Sequence, residues 1–180
     1  MDRLIRSRGM ISVVLLAALL FTAPAAVADV RLPHVIGSNM VLQRDTAVPI
    51  WGWADPGEEV TVKIASQEAR TKADEKGRWM VRLATMSAGG PHEMTVAGKN
   101  TLQLANILVG EVWVGSGQSN MEFGVGAAQD AQKEIAAADY PQIRLFNVPK
   151  KPAGEPVDDI DAAWLPCSPN NITAGFSAAL

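Results

Sequence analysis

Apolar and polar positions alternate with a period of two from Arg31 to about Leu104. Val60, Val62 and Ile64 flank Thr61 and Lys63; Trp79, Val81 and Leu83 flank Met80 and Arg82; Met94 with Val96 and Leu102 with Leu104 repeat the pattern. A strand sends successive side chains to opposite faces, so each run predicts a strand with one buried face. Between the runs lie Asp55-Pro56-Gly57, the segment from Asp74 to Gly77, Gly89-Gly90-Pro91 and Gly98-Lys99-Asn100, which carry residues that tolerate or enforce turn dihedrals. Short strands at this spacing predict an antiparallel, immunoglobulin-like β-sandwich over residues 29–105, made without a disulfide. Trp51 and Trp53 share one face of the Trp-Gly-Trp run. That pair suits a sugar-stacking platform, but a packed core face is the reading the alternation favours.

Around Asn106 the pattern changes. Ile107 to Val114 is apolar almost without alternation, broken only by Gly110-Glu111, which predicts a strand covered on both faces. Ala128, Ala131, Ile135 and Ala138 then recur at helical steps and predict a helix over about 127–139, ended by Tyr140-Pro141. Ile143 to Val148 reads as a second strand, so the expected unit is strand, turn, helix and parallel strand with one right-handed crossover. Lys150 to Asp161, rich in Pro, Asp and Gly, reads as a surface loop. Two strands and a helix do not make a domain, so residues 106–180 are expected to be the opening part of an α/β domain.

The first 28 residues are a different material. Arg3, Arg6 and Arg8 precede an apolar stretch from Met10 to Phe21, and Ala26-Val27-Ala28 offers a cleavage site before Asp29. This predicts a secretory signal over residues 1–28 and an exported, periplasmic or extracellular protein with no stable membrane anchor. The stretch ends in Pro24 and small residues with no basic stop-transfer flank, and no cysteine stands near the site for lipid attachment. Removing it changes the formal charge from −3 to −5. No Lys/Arg block is present to neutralise phosphates, which argues against nucleic acid as a partner. Cys167 is the single cysteine, so no intrachain disulfide forms, and nothing near it in sequence supplies a base; it reads as a small buried hydrophobe.

The chemistry-bearing stretch is Gly115-Ser116-Gly117-Gln118-Ser119-Asn120-Met121. A phosphate-binding loop needs Lys and Ser or Thr after its last glycine, and no cation is present here. A dinucleotide fingerprint needs a third glycine where Asn120 stands. The hydrolase elbow G-x-S-x-G is met at Gly117 and Ser119 but not at Met121. A nucleophilic serine perched on the turn, with backbone N–H groups nearby for an oxyanion, and an ordinary helix N-cap serine both fit the local spacing.

Gly117-Gln118-Ser119-Asn120-Met121, led in by Gly110-Glu111-Val112-Trp113, resembles the nucleophile block of the sialate O-acetylesterase family, a branch of the SGNH (GDSL-like) hydrolases. The resemblance extends through Leu32-Pro33, Asn39-Met40-Val41-Leu42-Gln43-Arg44, Trp51-Gly52-Trp53-Ala54-Asp55-Pro56-Gly57, Asp74 with Gly77-Arg78-Trp79, Gly89-Gly90-Pro91, Trp164 and Phe176-Ser177-Ala178. It implies a β-sandwich followed by the start of a flavodoxin-like α/β esterase domain. By the same resemblance, Ser119 is the nucleophile and its backbone N–H one oxyanion donor, Gln118 and Asn120 shape the hole, and the substrate is an O-acetylated sugar such as sialic acid. No metal and no cofactor are implied.

A serine hydroxyl needs a base, usually a histidine held by an acid. After residue 28 only His34 and His92 are available, one in the lead-in to the sandwich and one at a strand start, and both read as surface or turn residues. The resemblance puts base, acid and further oxyanion donors beyond Leu180, so this chain is expected to be an inactive N-terminal fragment. Asp158, Asp159 and Asp161 offer an acid or a calcium site, but a solvated acidic loop is the preferred reading. Asn171-Ile172-Thr173 matches a glycosylation acceptor. A competing function is a non-catalytic secreted β-sandwich that binds a glycan or a protein partner.

Overall fold

Every alternating run in the first half forms a strand. The computed structural model describes residues 29–172 and 176–178; the expected signal at 1–28 and Thr173 of the glycosylation pattern lie outside them. The strands are β1 (Val41–Gln43), β2 (Val48–Trp53), β3 (Glu59–Ile64), β4 (Gln67–Lys72), β5 (Arg78–Leu83), β6 (Gly89–Ala97) and β7 (Thr101–Gly110). Five of them make one sheet in the order β1-β7-β6-β3-β4, while β2 and β5 form a separate antiparallel ribbon. Within the larger sheet only β1 and β7 run parallel, with Val41 opposite Leu108. The inward residues of both sheets, among them Ile50, Val81 and Leu83 from the ribbon and Val62, Ile64, Met94, Val96 and Ile107 from the sheet, form one continuous core. Alternation thus turns the apolar residues of the sheet and of the ribbon toward this shared core.

Two tryptophans depart from expectation. Gly52 turns inward, because a Cβ there would come within 2.1 Å of the Arg31 carbonyl oxygen and 3.1 Å of the Trp79 ring. Arg31 bridges to Trp53 at this point, with reciprocal backbone hydrogen bonds of 2.8 and 2.9 Å. Its neighbours Trp51 and Trp53 therefore occupy the opposite face of the ribbon, half-buried, and Trp51 touches only the margin of the core. The core indole is Trp79.

The continuous apolar run is not one strand. Ile107 to Gly110 complete β7, because here the strand has β6 on one side and β1 on the other. From Glu111 onward both ladders have ended, and residues 111–117 hold no regular structure. Trp113 and Val114 are 82% and 88% exposed. The expected crossover unit is likewise absent among the described residues. The helix, α1 (Ala131–Ala137), is shorter than predicted, and Asp130 before it takes a left-handed conformation with φ 57°. The strand β8 (Tyr140–Phe146) begins at the Tyr-Pro pair that was expected only to stop the helix, and it pairs antiparallel with β9 (Trp164–Cys167). A strand takes whichever edge is available to satisfy its backbone, and here that edge is β9. A small second core of Ala138, Leu145 and Cys167 lies beneath this hairpin. Cys167 is buried as expected, and burial pushes its thiol pKa upward.

The two halves are stitched together by side chains. Arg144 on β8 donates to Asn106 Oδ1 at 3.1 Å, Asn106 donates to Asn39 Oδ1 at 2.7 Å, and Trp164 Nε1 donates to the Val35 carbonyl at 2.8 Å. Asn39 and Asn106 both sit at positive φ, 66° and 59°, a region that asparagine tolerates better than most residues. No helix among the described residues is long and apolar enough to cross a membrane.

Candidate active site

Ser119 opens a one-turn 3₁₀ helix, Ser119–Glu122, that follows the glycine-rich stretch. The turn closes through Met121 N–H, which donates to the Gln118 carbonyl at 2.8 Å, and Phe123 N–H, which donates to the Asn120 carbonyl at 3.3 Å. Gly117 is required by close approach: a Cβ there would lie 2.8 Å from Met121 Cγ. Gln118, Ser119 and Asn120 are all exposed. The Ser119 hydroxyl makes no hydrogen bond with any described residue, and no side chain caps the turn. Ser119 therefore is not spent on a cap.

The turn is pinned from behind. Val125 N–H donates to the Phe176 carbonyl at 2.8 Å and Ala178 N–H to the Phe123 carbonyl at 2.9 Å, around a bridge between Gly124 and Ser177. Lys150 pairs with Glu122 at 2.8 Å. The three expected site residues thus come together on one exposed, backbone-anchored turn.

Neither histidine reaches it. His92 lies on β6 opposite Ile107. His34 is held by Asp159, whose Oδ1 accepts the His34 backbone N–H at 2.8 Å and whose Oδ2 lies 2.9 Å from Nδ1. Burial pushes the Asp159 carboxyl up, but these bonds and a third from the Ile160 N–H outweigh it and hold the group below the ordinary carboxylate value. The 150–161 segment is a loop as expected, yet its acids are not merely solvated. Asp158 accepts from Arg78 at 2.9 Å, and Asp161 stands 3.9 Å from His34 Nε2. Sequence reasoning missed this clasp, because His34 and Asp159 are 125 positions apart and neither belongs to a periodic pattern.

The comparisons with known proteins bear on the same stretch. No protein-family profile matches the chain. The mouse sialate O-acetylesterase is 35% identical over 161 residues, covering 81% of this chain and 30% of the relative. The human sialate O-acetylesterase is 32% identical over 189 residues, covering 93% of this chain and 35% of the relative. A crystal structure of a carbohydrate acetylesterase from Xanthomonas citri superimposes with a TM-score of 0.79 at 38% identity, over 83% of this chain and 35% of that one. This chain belongs to the sialate O-acetylesterase family. It spans about a third of the length of the relatives it matches. Among sialate O-acetylesterase relatives the matched third includes both the mostly β region and the turn that carries Ser119.

Proposed function

We propose that these residues are the N-terminal portion of an exported SGNH-type carbohydrate O-acetylesterase, with Ser119 as its nucleophile. The observation that carries the proposal is the exposed Ser119 hydroxyl, free of any cap, on an anchored turn of a chain whose relatives are named for ester hydrolysis. The serine oxygen attacks the acetyl carbonyl carbon while its proton passes to a base. Carbonyl electrons move onto oxygen, where the Ser119 backbone N–H donates to the developing oxyanion and Gln118 and Asn120 shape the surrounding hole. Collapse expels the sugar oxygen, which takes the proton back, and leaves acetyl-Ser119; water then attacks this ester and releases acetate.

The base comes from outside the described residues, because neither His34, paired with Asp159, nor His92, within the β sheet, makes a hydrogen bond to Ser119. By itself the 180-residue chain is then without esterase turnover. The same proposal keeps residues 1–28 as an export signal and extends the immunoglobulin-like sandwich expected over residues 29–105 to residue 110, where β7 ends, supported by the two sheets around one core. The substrate is an O-acetylated sugar, sialic acid or a relative.

The test compares three proteins: the 180-residue chain, a longer protein completed by its downstream sequence, and the latter with Ser119→Ala. Acetate release from O-acetylated sialic acid and labelling by a fluorophosphonate are read. Both are expected only in the completed protein, with turnover falling at least about a thousandfold in Ser119→Ala. Turnover by the short chain that disappears in His34→Ala would show that the base is already present and would overturn this assignment.

A further inference from the structure

The outward face of the β2-β5 ribbon carries an assembly that the esterase chemistry does not use. Trp51 and Trp53 stand opposite Met80 and Arg78 across the ribbon. Together with Asp74 and Asp158 they line a cleft of about 370 Å³, large enough for a sugar ring or two. Ser119 is not among its lining residues.

Each part of the cleft is held in place before any ligand arrives. The two indoles meet edge to face, 5.4 Å between centroids and 73° between planes. The Arg31 guanidinium lies 5.5 Å from the Trp53 ring centre, a cation–π contact that fixes the indole. Arg78 Nη2 donates to Asp158 and leaves the rest of its donor fork unused among the described residues. Asp74 Oδ1 accepts the backbone N–H groups of Lys76 and Arg78, which orients the carboxylate and leaves Oδ2 as an acceptor.

We infer that this cleft is a saccharide-binding subsite for a neutral pyranose unit of an oligosaccharide. Indole faces supply flat apolar area for the C–H face of the ring, while a guanidinium fork and carboxylate oxygens match adjacent hydroxyls in planar, two-point fashion. Lys72 and Arg78 balance Asp74 and Asp158 around the cleft, so its charge suits a neutral ring. Prior ordering of both indoles lowers the entropy cost of binding. The inference does not depend on Ser119.

Saturation-transfer NMR on the 180-residue chain with cellohexaose and with xylohexaose provides the test. At least one of the two is expected to receive transfer with millimolar affinity, weakened by about fivefold or more in Trp51→Ala, and also in Asp158→Ala, whose exposed loop position leaves both cores intact. Circular dichroism melts confirm that each variant is folded. If Trp51→Ala unfolds, Asp158→Ala alone decides. Absence of transfer from both sugars overturns the inference, as does transfer unchanged in a folded variant. So does self-association of the chain that shields Trp51.

Discussion

Residues 29–110 and 111–178 are similar in apolar content to the eye and different in what they bury. The first region packs seventeen buried apolar residues into one cluster, the second only Ala138, Leu145 and Cys167. Of the large apolar side chains left exposed, all but Val35 and Met80 belong to the second region. The difference lies in strand neighbours. Val96 on β6 has β3 on one side and β7 on the other, whereas Val114 has no paired strand at all among the described residues. Hydrophobicity buries a residue only where a second layer exists to receive it.

The sharpest break in this comparison is made by cutting the chain. A protein of residues 29–110 is expected to melt cooperatively. One ending at residue 105 loses the β1-β7 ladder and the buried Ile107 and Val109, each worth about 1.5–3 kcal/mol, and is expected to lose its cooperative transition by circular dichroism. Next in size is Ile107→Ala, expected to cost about 2–5 kcal/mol in urea denaturation, set against Leu145→Ala in the smaller core at the low end of the same range. A smaller effect is expected from Asn106→Ala. It strands the Arg144 guanidinium, puts a β-carbon without asparagine's tolerance at φ 59°, and should cost about 1–3 kcal/mol, read by chemical denaturation and by a shift in Trp164 fluorescence.

The smallest effect concerns the His34–Asp159 clasp. The Asp159 carboxyl titrates below its ordinary value when folded, so its contribution is fully present above the ordinary carboxylate pKa and is lost as pH falls through the lowered one. The pair is largely exposed and is worth at most about 1 kcal/mol. NMR titration of the His34 backbone amide should show its hydrogen bond released across that acidic window, and Asp159→Asn should abolish the acid transition.

The strands of the first region could be read from the chain because each has one wet face and one dry face, and alternation records that difference. Val60, Val62 and Ile64 fall on β3 with their buried face as predicted. Ile107 to Val114 misled, because an unbroken apolar run records burial or an absent neighbour alike; the run splits where the β1 and β6 ladders end. Trp51 and Trp53 misled for another reason. Alternation says that two residues share a face but not which face is dry, and the inward choice was settled at Gly52 by the Arg31 carbonyl and the Trp79 ring. At the candidate site, the Gly-Gln-Ser-Asn-Met motif located the turn, whereas its anchoring by Phe176 and Ala178 depends on contacts more than fifty positions away that no local pattern records.

That anchoring closes the backbone into a ring. With Gly124 bridged to Ser177, the chain between them leaves and returns at the same place. The entropy of closing such a ring grows only with the logarithm of its length, about 0.6 kcal/mol for each doubling. Residues added or removed in the exposed stretch 151–157 therefore change the circumference without moving the point where the ring is fastened. The serine stands just outside that fastening, so length variation within the ring leaves the geometry of its turn alone.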